Sequence, residues 1–163
     1  MPAAKSPDLH PALDKRKTIL IADDSELVRK KIRQALERDT DFEVCGEVSN
    51  GSEAVGKARE LAPDLIILDV RMPCLSGIDV AGVLRYALPK TRRVLLTMYA
   101  EDVGPNLVSQ FQIDAVLAKA DGLADLGAQV KRLLSDPIDE VAPVDEAAPV
   151  NQVAAPQETM EAV

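Results

Sequence analysis

Aromatic residues are nearly absent. The 163-residue chain has two Phe, two Tyr and no Trp, so a core must be built from Val, Leu, Ile and Ala. That excludes a single-strand nucleic-acid platform, which stacks bases on aromatic rings. An excess of positive charge is also missing. The 19 Lys and Arg face 27 Asp and Glu, a formal net charge of −8, the opposite of what a generic phosphate-backbone binder carries. No apolar run approaches the ~18–20 residues of a membrane span, and no apolar stretch follows the N-terminal charges as a secretory signal requires. Cysteine is limited to Cys45 and Cys74. Their spacing fits no metal motif, and one disulfide would not define a scaffold. A reduced, cytoplasmic protein with no membrane association is expected.

What is present is unevenly spread. Seven of the 11 prolines lie outside residues 17–135. From Asp136 onward there are seven acids and no Lys or Arg, while residues 1–16 carry a balance of +1. The middle therefore holds only about −2 of the −8. The chain divides into an N-terminal extension (1–16), a folded domain (17–135) and an acidic Ala/Pro/Val-rich tail (136–163). Such a tail buries too little apolar surface to offset ordering and is expected to be disordered. It reads as a solubilising extension or as a docking tether.

Residues 17–135 alternate between strand and helix patterns. Thr18 to Ala22 is a short apolar run that ends in Asp23-Asp24. Ser25 suits a helix N-cap, with Glu26 in the favourable first turn. Val28, Ile32, Ala35 and Leu36 recur at helical spacing. Phe42 to Val48 alternates as a strand. Asn50-Gly51-Ser52 opens a second helix, and Pro63 ends it. Leu65 to Leu68 is apolar on both faces, as a central parallel strand requires, and Asp69 stands at its end. Ile78, Ala81, Leu84 and Leu88 mark a third helix, and Val94 to Thr97 a fourth strand. A weak helix is expected around Asn106 to Gln112, then a strand Ala115 to Ala118 ending at Lys119. Leu123, Leu126, Val130, Leu133 and Leu134 define the last helix. Five strands alternating with five helices imply an α/β fold with a doubly wound five-stranded parallel sheet.

Ligands of an open parallel sheet gather at the carboxyl ends of its strands. Those ends carry Asp23, Asp24, Asp69, Thr97 and Lys119. Carboxylates a few Å apart repel by about 4 kcal/mol per close pair at an effective dielectric of ~20. The expected remedy is a hard divalent cation held by oxygen ligands.

The pattern Ile21-Ala22-Asp23-Asp24-Ser25, Pro63 to Pro73 with Asp69, Ser76-Gly77, Leu95-Leu96-Thr97 and Leu117-Ala118-Lys119 resembles a response-regulator receiver domain of two-component signalling. Thr97-Met98-Tyr99 and the lack of Pro after Lys119 look most like receivers that precede LuxR-type helix-turn-helix domains. No such second domain is expected in residues 136–163. The resemblance implies a flavodoxin-like strand order 2-1-3-4-5. It makes Asp69 the acceptor of a phosphoryl group from a phosphohistidine, on a sensor histidine kinase or a histidine phosphotransfer protein. Asp24, Asp69 and the Arg71 carbonyl would bind Mg²⁺, with Asp23 acting through coordinated water. Lys119 would pair with the phosphoryl oxygens, and the Thr97 hydroxyl would follow them. The implied function is a single-domain regulator that catalyses its own phosphorylation and dephosphorylation without being a turnover enzyme. It would switch the binding of an output partner or a phosphorylation-dependent dimer through the face of the fourth helix, fifth strand and fifth helix. No direct DNA binding is expected.

Two positions depart from the common pattern. Val116 stands where many receivers carry Tyr or Phe, with Tyr99 a candidate substitute. Met98 is bulkier than the small residue often found after the threonine, and is expected to hinder water. Arg29-Lys30-Lys31 with Arg33 reads as a solvated helix face or as a kinase-docking surface. Cys74 reads as an incidental loop thiol, and His10 lacks partners for metal or phosphohistidine chemistry. Gly51 and Gly77 read as turn and cap residues rather than phosphate cradles.

Other functions compete. A phosphorylation-independent scaffold shares the fold. A haloacid-dehalogenase-like phosphatase wants a second Asp two residues after the first, where Arg71 stands. A flavodoxin-like FMN carrier wants a hydroxyl-rich loop where Asp23-Asp24 would repel the phosphate.

Overall fold

The computed structural model describes residues 15–137 except Gly122. The proposed N-terminal extension, up to residue 14, and the tail from residue 138 lie outside the described residues. Five strands form one parallel sheet: β1 (Lys17–Ala22), β2 (Phe42–Val48), β3 (Leu65–Asp69), β4 (Arg92–Thr97) and β5 (Ala115–Ala118). Their order is β2-β1-β3-β4-β5. The connecting helices are α1 (Glu26–Leu36), α2 (Gly51–Leu61), α3 (Gly77–Ala87), α4 (Pro105–Phe111) and α5 (Leu126–Ser135). The expected α/β fold and strand order hold.

Period-two alternation divides the core into two layers. Leu20, Ala22, Ile66, Leu68 and Leu95 pack with Ala54 and Ala58 of α2 and Val80, Ala81 and Leu84 of α3. Ile19, Ile21, Leu65, Ile67, Val94 and Leu96 pack on the other face with Ile32 and Leu36 of α1 and Leu126 and Val130 of α5. All five residues of β3 are buried, which makes it the spine of the sheet. With so few rings, close packing falls to alanines on α2 and α3 and to branched residues on the strands.

Local signals set most boundaries. Ser25, Asn50 and Ser76 each cap a helix by accepting a backbone N–H three residues on. Ser76 and Asp79 complete a reciprocal capping box. Ala62 closes α2 in the left-handed region at φ 44°, immediately before Pro63.

Three details differ from the pattern reading. α4 starts at Pro105, because proline without its N–H is tolerated at the first helical position. α5 starts at Leu126, so Leu123 contributes to the core from the preceding loop. Short 3₁₀ turns occupy Ala100–Asp102 and Lys119–Asp121, too brief to leave a periodic signal. Among the described residues, no helix is long and apolar enough to cross a membrane.

Candidate functional site

The site forms where four parallel strands end. Asp23 directly follows β1, Asp69 is the last residue of β3, Thr97 the last of β4, and Lys119 directly follows β5. Parallel wiring brings these positions together although 96 residues separate the first from the last. Asp23, Asp69 and Thr97 are all buried, at 1%, 6% and 5% exposure. Asp24 points outward into solvent. Carboxylate oxygens of Asp23, Asp24 and Asp69 nonetheless lie within 4.8 Å of one another.

One cation holds the cluster. Lys119 Nζ lies 2.7 Å from Asp23 Oδ2 and 3.1 Å from Asp69 Oδ1. Asp23 Oδ2 is buried, and no well-directed hydrogen bond among the described residues reaches it. It relies on the Lys119 charge. Its other oxygen, Oδ1, accepts the Ser25 backbone N–H at 2.9 Å. Burial pushes the Asp69 carboxyl above the usual carboxylate range. Lys119 lowers it in part, and Asp23 and Asp24 raise it further. Burial disfavours the Lys119 charge, but the Asp23 and Asp69 carboxylates together outweigh it and raise its pKa.

Three carboxylates against one ammonium leave a formal excess of two negative charges. The donors are all hard oxygens, and one buried oxygen has only a shared cation for a partner. A divalent cation with a preference for oxygen ligands fits this set.

Several supporting residues left no clear trace in the sequence. Arg29 Nη1 donates to the Asp23 carbonyl at 2.6 Å, tying α1 to the strand end. Its neighbour Arg33 pairs with Glu47 and Glu37. The basic run of α1 is therefore not a uniform solvated face; only Lys30 and Lys31 project freely among its cations. A spacing of six from Asp23 to Arg29 would have suggested the first contact only with α1 already placed.

Gly51 and Gly77 are the first residues of α2 and α3, and the caps are Asn50 and Ser76. Their need is close approach. A Cβ on Gly77 would lie 2.2 Å from the Asp69 carbonyl oxygen, and one on Gly51 would lie 2.1 Å from the Leu75 oxygen. The loop after β3 is thus clamped between two helix starts. Cys74 within it sits at φ 71° and is exposed.

Thr97 Oγ1 accepts the Tyr99 N–H at 3.3 Å. Tyr99 is half exposed, with the Arg71 guanidinium 5.7 Å from its ring centroid. Val116 is partly buried against the core. Met98 is 57% exposed and lines, with Lys119, Val28, Lys31 and Leu123, a groove of about 460 Å³ between α1 and the loop before α5.

Comparison with known proteins agrees with this geometry. The sequence profile of the response regulator receiver domain matches residues 19–131. The response regulator protein VraR of Staphylococcus aureus is 32% identical over 114 residues, covering 70% of this chain and 54% of VraR. The chain thus spans about half the length of the curated relatives it matches. The signal receiver domain of NarL from Mycobacterium tuberculosis is 27% identical, with a TM-score of 0.66, covering 76% of this chain and 99% of that one. A DNA-binding response regulator of the LuxR family from Staphylococcus aureus shares the fold at 22% identity and a TM-score of 0.65, covering 72% of this chain and 98% of that one. With such a regulator among the neighbours, the expectation of no direct DNA binding gains no support. Strand order, the acidic cluster at the strand ends and the profile match converge, and the chain belongs to the response regulator receiver domain family.

Proposed function

We propose that the chain is a phosphoacceptor switch whose Asp69 carboxylate takes a phosphoryl group from a phosphohistidine. The donor is a sensor histidine kinase or a histidine phosphotransfer protein, and the setting is the cytoplasm. The observation that carries this reading is the placement of Asp69. It is buried at a strand end, 3.1 Å from Lys119 and within 4.8 Å of two further carboxylates.

An Asp69 oxygen attacks phosphorus, the P–N bond to the donor histidine breaks, and the imidazole nitrogen leaves with the bonding pair. The product is a mixed anhydride, a covalent intermediate of the kind nucleophilic carboxylates form. Phosphoryl transfer needs charge neutralisation and alignment more than proton transfer. Lys119 already touches Asp69 and supplies one positive charge to the incoming oxygens. Asp24, Asp69 and the Arg71 carbonyl, with Asp23 beside them, would hold Mg²⁺. When bound, that ion supplies the remaining neutralisation that lets an anionic phosphoryl group approach an anionic pocket.

The Thr97 hydroxyl, which accepts from the Tyr99 N–H, turns toward the new phosphoryl oxygens. That movement biases a two-state equilibrium. The face of α4, β5 and α5 then selects an output partner or a second copy. The same residues return Asp69 to its free state when water hydrolyses the anhydride.

Acetyl phosphate or phosphoramidate with Mg²⁺, followed by intact mass, tests the reading. The wild type gains one phosphoryl mass, and chelation of Mg²⁺ suppresses the gain. No gain on the wild type, or an equal gain on Asp69→Asn, overturns the proposal in favour of a phosphorylation-independent scaffold.

A further inference from the structure

Asp23 is tied down at every polar group. Its N–H donates to the Val48 carbonyl at 3.2 Å, which extends the β1–β2 ladder by one residue. Its Oδ1 accepts the Ser25 N–H at 2.9 Å, and its Oδ2 lies 2.7 Å from Lys119 Nζ. Its carbonyl accepts from Arg29 Nη1 at 2.6 Å, a bond that reaches back from α1 across six residues. A short hydrogen bond from an ionised donor is among the stronger kinds. Among the cations of α1, Arg29 alone makes this contact. Arg33 pairs with Glu47 and Glu37, and Lys30 and Lys31 are exposed.

Asp24 lacks the packing that surrounds Asp23. It is exposed, yet one of its oxygens lies within 4.8 Å of oxygens of Asp23 and Asp69. An exposed side chain is placed by its backbone. The Asp23 carbonyl and the Asp24 Cα belong to one planar peptide. A guanidinium that holds the carbonyl therefore fixes the plane from which Asp24 departs. Ser25 then caps α1, so Asp24 is the single residue between the tethered peptide and the cap.

We infer that Arg29 is a positioning residue for the cation site: by holding the Asp23 carbonyl, it sets where the Asp24 carboxylate stands beside Asp23 and Asp69. The inference rests on the reading of these three acids as a Mg²⁺ site. Charge and positioning make opposite demands. A cation on α1 repels a divalent ion, so on charge alone its loss tightens Mg²⁺ binding. Loss of a positioning residue weakens it. A tie that only stabilised the strand–helix junction would lower Tm and leave Mg²⁺ affinity alone.

Isothermal titration of the full chain with Mg²⁺, without a phosphodonor, reads the sign. Arg29→Met is expected to weaken Mg²⁺ affinity about tenfold, the scale for residues that orient metal ligands. Arg33→Met removes the same charge one turn further along α1, and is expected to leave the affinity unchanged or slightly tighter. Unchanged or tighter affinity in Arg29→Met overturns the inference, as does an equal weakening in both variants. With acetyl phosphate, Arg29→Met is expected to need about tenfold more Mg²⁺ and to reach the wild-type rate of phosphoryl uptake once saturated. A saturated rate well below wild type overturns a role confined to placing the ligand. If Arg29→Met does not fold, ¹⁵N NMR of the wild-type arginine side chains decides. Slow rotation of the Arg29 guanidinium that persists at saturating Mg²⁺ supports the tie, and free rotation overturns it. A wild type that binds no Mg²⁺ overturns the inference together with the metal reading. A wild type that binds Mg²⁺ but gains no phosphoryl mass overturns the phosphoacceptor reading, and the titration still decides on Arg29.

Discussion

The two edges of one sheet carry opposite charge. Where the strands end, Asp23, Asp24 and Asp69 gather around Lys119. Where they begin, Arg92 and Arg93 gather around Asp114, with Arg85 and Lys90 near by. The wiring of a parallel α/β fold accounts for much of this. Helices start where strands end, and a helix start carries partial positive charge that favours acids. Helices finish where strands begin, and their last carbonyls favour cations. Arg85 donates to the Gln110 carbonyl and Arg93 to the Gln112 carbonyl, both at the end of α4. The difference lies in balance. The lower edge carries an excess of positive charge and ties Arg85, Arg92 and Arg93 to backbone carbonyls or to Asp114, although Arg93 Nη1 is buried without a partner among the described residues. The upper edge keeps an excess of negative charge and a buried carboxylate oxygen that, among the described residues, only a lysine reaches. On the proposed reading, the lower edge serves stability and the upper edge takes up a cation and a phosphoryl group.

The largest test of that division is Asp69→Asn. Phosphoryl uptake from acetyl phosphate is expected to vanish, read by intact mass. Stability is expected to move the other way. A carboxyl whose folded pKa is raised favours folding below its unfolded pKa, and this contribution is lost as pH rises through the folded pKa. Above that window the charged Asp69 opposes folding, so the amide raises Tm at pH 7 without Mg²⁺. The gain shrinks toward pH 3. Added Mg²⁺ reverses it by stabilising only the wild type. A lower Tm for Asp69→Asn under all these conditions breaks the division, because it makes the upper edge a structural ion pair.

Gly77→Ala comes next. The new Cβ meets a backbone oxygen that a side-chain rotation cannot move. A cost of about 3 kcal/mol is expected by denaturant unfolding, the upper part of the usual range for overpacking. Asp69 is displaced with it, so phosphorylation slows as well. A neutral outcome means that the loop after β3 yields easily.

Asp114→Asn addresses the lower edge. One oxygen becomes an amide nitrogen, and either Arg92 or the Arg93 backbone loses its acceptor. About 2 kcal/mol of stability is expected to go, the scale for an unsatisfied buried group. The rate of phosphoryl uptake stays at the wild-type value under conditions where the variant is folded. A matched loss of uptake shows that the two edges are coupled through the sheet.

The upper edge was far more legible in the sequence than the lower. Asp23, Asp69, Thr97 and Lys119 each stand at the end of an apolar run, and an open parallel sheet collects such residues. The parallel sheet and both layers of the core follow from the same runs, whereas the strand order follows only from the family resemblance. Arg92 and Arg93 stand at the start of a run, where charge usually means solvent. Nothing in the local pattern distinguishes the buried Arg93 from an exposed one; Gln112 and Asp114 lie 19 and 21 residues away. Gly77 was visible, but its reason was not. The clash belongs to a carbonyl eight residues back, and no propensity encodes it. The 3₁₀ turn at Lys119–Asp121 likewise depends on where Lys119 must reach.

The smallest expected effect concerns Met98, which stands beside the upper edge. The residue is mostly exposed, and its side chain shares a groove with Lys119. A thioether there covers part of the approach to the anhydride without donating or accepting strongly. Truncation to alanine removes that cover and leaves Asp69, Thr97 and Lys119 in place. Uptake from acetyl phosphate is expected to keep its rate, and the phosphoryl group is expected to leave a few-fold faster. Pulse-labelling followed by removal of the donor reads the half-life directly. The thermal midpoint should hardly change, since the side chain buries little. A half-life equal to that of the wild type assigns control of water to something else in the site. The half-exposed Tyr99, hydrogen-bonded through its backbone to Thr97, is then the next residue to truncate.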